Sequence, residues 1–125
     1  ILHIMRSTFG EYVRERREAL RAEDRRFSLR QLATRIGVEP SYLSKVERGE
    51  EPPPSEARVL QLAEELGEDA DVLLALAGKV SSDLQDVIRK RPQLMAQLIR
   101  DLKGMPDHAV LRMATARTKG TLAAR

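Results

Sequence analysis

The stretch Ser28-Leu-Arg-Gln-Leu-Ala-Thr-Arg-Ile-Gly-Val-Glu-Pro-Ser-Tyr-Leu-Ser-Lys-Val-Glu-Arg-Gly49 decides the fold of this chain. Its first half places Leu29, Leu32, Ala33 and Ile36 at helical spacing, with Arg30, Gln31 and Arg35 on the opposite side. Ser28 with Gln31 three residues on reads as a capping box that starts this helix. Gly37 supplies the left-handed residue that ends a helix, and Pro40 is pre-set for the first turn of the next. The second half turns Leu43 and Val46 inward and leaves Ser41, Tyr42, Ser44, Lys45 and Arg48 outward. Glu39 is the weak point of this helix, because glutamate caps less well than Ser or Asp. Two short helices joined by a tight turn, the second with a polar outer face, form the geometry of a helix-turn-helix that reads DNA.

On the N-terminal side, Thr8 and Glu11 form another capping box, and a helix is expected over 8–22 with Phe9, Val13 and Leu20 as its stripe and Tyr12 beside it. Residues 21–26 are polar and highly charged before Phe27 returns to the core. On the C-terminal side, Gly49 and Pro52 to Pro54 end the second helix of the pair. Ser55 then caps a helix over 56–66 with Val59, Leu60, Leu62, Ala63 and Leu66 inward, and Gly67 closes it. A short, nearly all-apolar helix follows over 71–77.

Beyond Gly78 three amphipathic pieces are expected. Leu84, Val87 and Ile88 mark the first, and Pro92 opens the second with Leu94, Leu98, Ile99 and Leu102. Gly104 and Pro106 separate these from a last helix through Val110, Leu111 and Met113. Such pieces are too short to stand alone in water and must pack on something. Residues 1–5 read as a cloning remnant and a start at Met5, 6–78 as one domain, 79–118 as a helical extension and 119–125 as a frayed tail.

Composition narrows the class. Apolar residues make up 42% of the 125 positions but aromatics only 3%, so the core must be built from Leu, Ile, Val and Ala. With no cysteine there is neither a disulfide framework nor a thiolate metal site, which fits a reducing cytoplasm. The longest apolar run, 72–77, is too short to span a bilayer, and no membrane partner is expected. Residues 1–50 carry eleven Lys/Arg against eight Asp/Glu, whereas 51–72 carry one Arg against seven acids. A basic first half backed by an acidic strip suits a protein that turns one face to a polyanion, although solvated helix faces would look the same. An enzyme is not expected. His3 and His108 are far apart with no carboxylate at ligand spacing, Asp69-Ala-Asp71 lacks the rest of a calcium loop, and no phosphate-binding glycine loop or nucleophile motif occurs. No cofactor or metal is called for.

From Phe9 to about Ala77 the chain resembles the Cro/repressor-type (Xre-like) helix-turn-helix family of phage and bacterial regulators. The resemblance is carried by the arginine-rich first helix, Leu32-Ala33, Gly37, the run Ser41-Tyr-Leu-Ser-Lys-Val-Glu-Arg-Gly49, and Leu60-x-x-Leu-Ala. It implies an all-α fold, a five-helix DNA-binding domain with a C-terminal helical extension. It further implies that Ser41, Ser44 and Lys45 reach base edges while Ser28, Arg30, Tyr42 and Arg48 touch phosphates. Arg17 and Glu47 match a structural ion pair between the first and third helices, and Arg14 and Arg16 are read as surface charge. Two departures stand out. The 21–26 loop is about five residues longer than is usual, either an extra basic finger or, as favoured here, a surface insertion. The glutamine frequent near the start of the second helix, a phosphate contact, is Leu29 here. The implied activity is transcriptional regulation, most simply repression, by a homodimer on double-stranded DNA with two half-sites. The alternative is an antitoxin-type or protease-regulated protein that binds a partner protein through residues 81–113.

Overall fold

The computed structural model describes residues 8–123, with side chains as far as 116; the expected remnant at 1–5 lies outside the described residues. The apolar spacing of the first part produces five helices: α1 (Phe9–Arg21), α2 (Leu29–Ile36), α3 (Pro40–Glu47), α4 (Glu56–Leu66) and α5 (Ala70–Leu76). A single 3-10 turn, Arg25–Phe27, lies between α1 and α2. Thr8 and Glu11 complete the capping box of α1, each side chain bonded to the other's backbone N–H. At α2 only the serine half forms, the Ser28 hydroxyl accepting from the Gln31 N–H at 3.2 Å. Ser55 caps α4 and Asp69 caps α5, so α5 begins at Ala70.

One apolar core joins these helices. Phe9, Tyr12 and Val13 of α1 meet Leu32, Ala33 and Ile36 of α2, Leu43 and Val46 of α3, Val59, Leu62, Ala63 and Leu66 of α4, and Leu73 and Leu74 of α5. Each fully buried leucine or valine contributes about 1.5–3 kcal/mol relative to exposure. Leu60 does not belong to this core. It was expected to face inward, yet it is 43% exposed. Val59, Leu62, Ala63 and Leu66 follow the i, i+3, i+4, i+7 stripe, and Leu60 stands a further 100° around the helix.

This compact unit extends to Ser82, beyond the expected end at 78. After Gly78, in the left-handed conformation, Lys79 donates to the Pro54 carbonyl at 3.3 Å. The Glu56 carboxylate accepts from both the N–H (2.9 Å) and the hydroxyl (2.8 Å) of Ser82. These bonds fasten 79–82 to the start of α4 and hold the Glu56 carboxyl below its ordinary range, chiefly through the Ser82 N–H.

The second unit, from Asp83 onward, carries the remainder of α6 (Ser82–Lys90), then α7 (Pro92–Lys103) and α8 (Asp107–Ala123). Pro92 sits in the first turn of α7, and Gly104 ends it. Helical backbone continues to Ala123, through the stretch expected to fray. No side chain of α6 or α7 is buried, and Leu94 and Ile99 are 60% and 57% exposed.

Candidate nucleic-acid interface

The turn between α2 and α3 is fixed from three sides. Gly37 has φ +74°, and the Val38 N–H reaches back to the Ala33 carbonyl at 3.0 Å, closing α2 as a Schellman motif. Arg58 of α4 lies over Gly37 and donates to the Ile36 carbonyl, a cation at the negative end of α2. Glu39 occupies the N-cap of α3 without a side-chain bond, as its chemistry suggested, and Pro40 opens the helix.

α3 presents two unlike faces. Leu43, Val46 and Glu47 are buried, whereas Ser41, Lys45 and Arg48 are exposed and Ser44 is half-buried. Tyr42 departs from the outward position expected of it. It is half-buried and packs against the core, since its ring lies one residue from Leu43 at the margin of the apolar stripe. Gly49, at φ +76°, ends the helix, and the Glu50 N–H closes back onto the Lys45 carbonyl at 2.8 Å.

α3 is held against α1 by an ion pair and by a backbone contact. The Arg17 guanidinium donates to both oxygens of Glu47, Nε to Oε2 at 2.7 Å and Nη2 to Oε1 at 2.9 Å. Both side chains are about 5% exposed (5% and 4%). Its third nitrogen donates to the Phe27 carbonyl at 3.2 Å, so the same arginine also ties in the 3-10 turn. The bond to Glu47 raises the Arg17 pKa further, against the opposing effect of burial. Nearby, a Cβ on Gly10 would stand 2.3 Å from the Val46 carbonyl oxygen and 2.7 Å from that of Glu47. Only glycine lets the two backbones approach so closely.

The cations assigned to phosphates differ in their engagement. Arg30 is exposed, and its guanidinium has no partner among the described residues. Arg48 donates to Glu50 Oε2 from Nη2 (2.8 Å) and Nε (3.2 Å) and also to the Ser44 hydroxyl. The pairing draws the Glu50 carboxyl below its ordinary range. Both partners are exposed, and a phosphate oxygen can replace the carboxylate at little cost. Ser28, half-buried, uses its hydroxyl as the α2 cap while retaining a proton to donate.

Two features escaped the sequence reading. Arg16 is not loose surface charge: it pairs with Glu68, which also accepts from the Tyr12 hydroxyl at 3.0 Å. Burial and then the Glu68 bond push the Tyr12 phenol up. The 21–26 loop is stitched down as well. Asp24 accepts from the Arg26 backbone N–H at 2.9 Å and from its guanidinium, while Arg35 sits over the Phe27 ring at 5.1 Å and pairs with Glu65 at 2.8 Å. The Tyr12–Glu68 and Arg35–Glu65 partners stand 56 and 30 residues apart, and no local periodicity announces them. Among the described residues no group of three His, Cys, Asp or Glu side chains is placed to hold a metal ion, and no helix is long and apolar enough to cross a membrane.

A family model described as a helix-turn-helix domain matches residues 8–76, which include all of α1 to α5. A solved structure of a SinR protein/SinI protein complex is similar at 19% identity, covering 91% of this chain and 98% of that one, with a TM-score of 0.48. No curated protein matches the chain significantly. With more than half its length under the family model and an all-helical fold, the chain belongs to the helix-turn-helix family of DNA-binding transcription regulators.

Proposed function

We propose that the protein represses transcription in a bacterium or phage by binding, as a homodimer, a two-half-site operator in cytoplasmic double-stranded DNA. The observation that carries this reading is the construction of α3. Its inner face is locked by the core and by Arg17–Glu47, while Ser41 and Lys45 stand in solvent beside Ser44 and Arg48. A helix held in this way enters a major groove without further ordering cost. Ser41, Ser44 and Lys45 then meet base edges, with Lys45 donating to guanine O6 and N7. Ser28, Arg30, Tyr42 and Arg48 grip the flanking phosphates and set the register.

The dimer is supported by the extension. Leu84 and Val87 of α6 and Leu94, Leu98, Ile99 and Leu102 of α7 are all large apolar side chains that stand exposed. Stripes of this kind call for a second surface, and a two-fold partner supplies an identical one. One recognition helix covers only a few base pairs, and pairing two of them gives operator length its meaning.

The test is a titration of the full chain against duplexes selected from a random pool. Two chains per duplex are expected, with half-sites about 10 base pairs apart and binding lost when about five base pairs are inserted between them. One chain per duplex, indifferent to spacing, would contradict the dimer.

A further inference from the structure

α1, the start of α2 and α3 enclose a cleft of about 150 Å³, with Arg17 and Glu47 at its floor and Arg14, Ser44 and Arg48 among its walls. The charges in it are unequally satisfied. Arg17 is saturated by Glu47, the Phe27 carbonyl and Glu18. Glu18, the remaining acid of the cleft, is taken up by Arg17 and Arg21. Arg48 is engaged by Glu50 and Ser44. Leu29, on the α2 side, offers no polar side-chain group. Arg14 alone among the arginines of the cleft has no hydrogen bond or ion pair among the described residues, and it is exposed.

Of the three guanidinium groups lining this cleft, Arg17 and Arg48 already face carboxylates, and an anion seated beside Arg14 would balance the third. A phosphodiester group fits that requirement. It carries one negative charge on two non-ester oxygens, and a planar guanidinium can meet both. Arg48, which also lines the cleft, reaches the same anion once it exchanges Glu50 for phosphate.

We infer that this cleft seats a backbone phosphate of duplex DNA, with Arg14 as its otherwise unpaired cation. The inference rests on the reading of α3 as the DNA-facing helix. Arg14 contributes affinity without sequence preference, because a phosphate is the same at every base pair.

The experiment compares the full chain with Arg14→Gln and Arg14→Lys, using fluorescence anisotropy on a selected duplex and on a scrambled duplex of equal length over a range of KCl concentrations. Arg14→Gln is expected to weaken both duplexes by the same factor, roughly five- to tenfold at about 0.1 M salt, and to lower the log–log salt slope by about one per chain. Its thermal midpoint should match that of the original chain, since no intramolecular bond is lost, and Arg14→Lys should recover the slope. An unchanged affinity and slope in Arg14→Gln, with Arg48→Ala still weakened, would overturn the inference and leave the reading of α3 intact. A loss confined to the selected duplex would also overturn it. Failure of the unaltered chain to bind either duplex at low salt would remove the parent reading and the inference together.

Discussion

The two halves of this chain use similar sequence patterns to opposite ends. In α1 to α5 each apolar stripe finds its complement within the chain, and Val13, Leu32, Val59, Leu62 and Leu73 are fully buried. In α6 and α7 the stripes are as regular, with Leu84, Val87 and Ile88 or Leu94, Leu98 and Leu102 at helical spacing, yet none is buried. Amphipathic periodicity therefore specifies that a face wants covering but not what covers it. The first region buries its apolar stripes in one core, and the second leaves large apolar side chains exposed among the described residues.

The largest expected effect lies in the first region. Glu47→Ala leaves the buried Arg17 with only the exposed Glu18 as counter-charge and should destabilise the domain by about 3–5 kcal/mol. Thermal unfolding measures this, and Arg17→Met combined with Glu47→Leu should recover most of the loss. Gly10→Ala comes next. Its methyl would press on the Val46 and Glu47 carbonyls, which are backbone and cannot rotate away, for a cost of about 1–3 kcal/mol. Both changes would loosen α3 and weaken DNA binding along with stability.

The second region should respond in the other way. Leu98→Asp should leave the unfolding of the first region essentially unchanged while halving the mass observed by sedimentation and weakening binding to a two-half-site duplex. A loss of stability comparable to that of Glu47→Ala would mean that the stripe is core after all, and the contrast between the regions would fail.

The smallest effect concerns the junction at Ser82. The Glu56 carboxyl is held below its ordinary range in the folded chain. Its contribution is therefore present above the usual carboxylate pKa and fades as pH falls through the lowered one. Glu56→Gln should lower stability slightly at neutral pH, and the difference from the original chain should shrink as pH falls below about 5, flattening the acid limb.

Much of this organisation was legible beforehand because its signals are local. Thr8–Glu11, Gly37, Pro40, Ser55 and Gly67 mark helix ends through the conformations and bonds that those residue types favour. Leu60 was misplaced because it falls outside the i, i+3, i+4, i+7 stripe that Val59, Leu62, Ala63 and Leu66 occupy, and counting hydrophobics does not measure angle. Arg16 and Glu68 were invisible as partners, since they meet only when α1 packs beside α4 and the turn that follows it. The same reason hid the role of Arg14. On a helical wheel it is one more surface arginine, and only the folded arrangement places it in a cleft with Ser44 and Arg48. Tyr42 shows the limit of dividing a helix into inside and outside, because residues at the margin belong to both.

The central claim is that α3 reads bases while the cations around it grip the backbone. The most direct measurement compares Lys45→Ala and Arg48→Ala for binding to a selected duplex and its scrambled counterpart under identical salt. Lys45→Ala should lose about 1–3 kcal/mol of preference for the selected duplex, whereas Arg48→Ala should weaken both duplexes by the same factor. Equal losses on both duplexes from both variants would contradict the account.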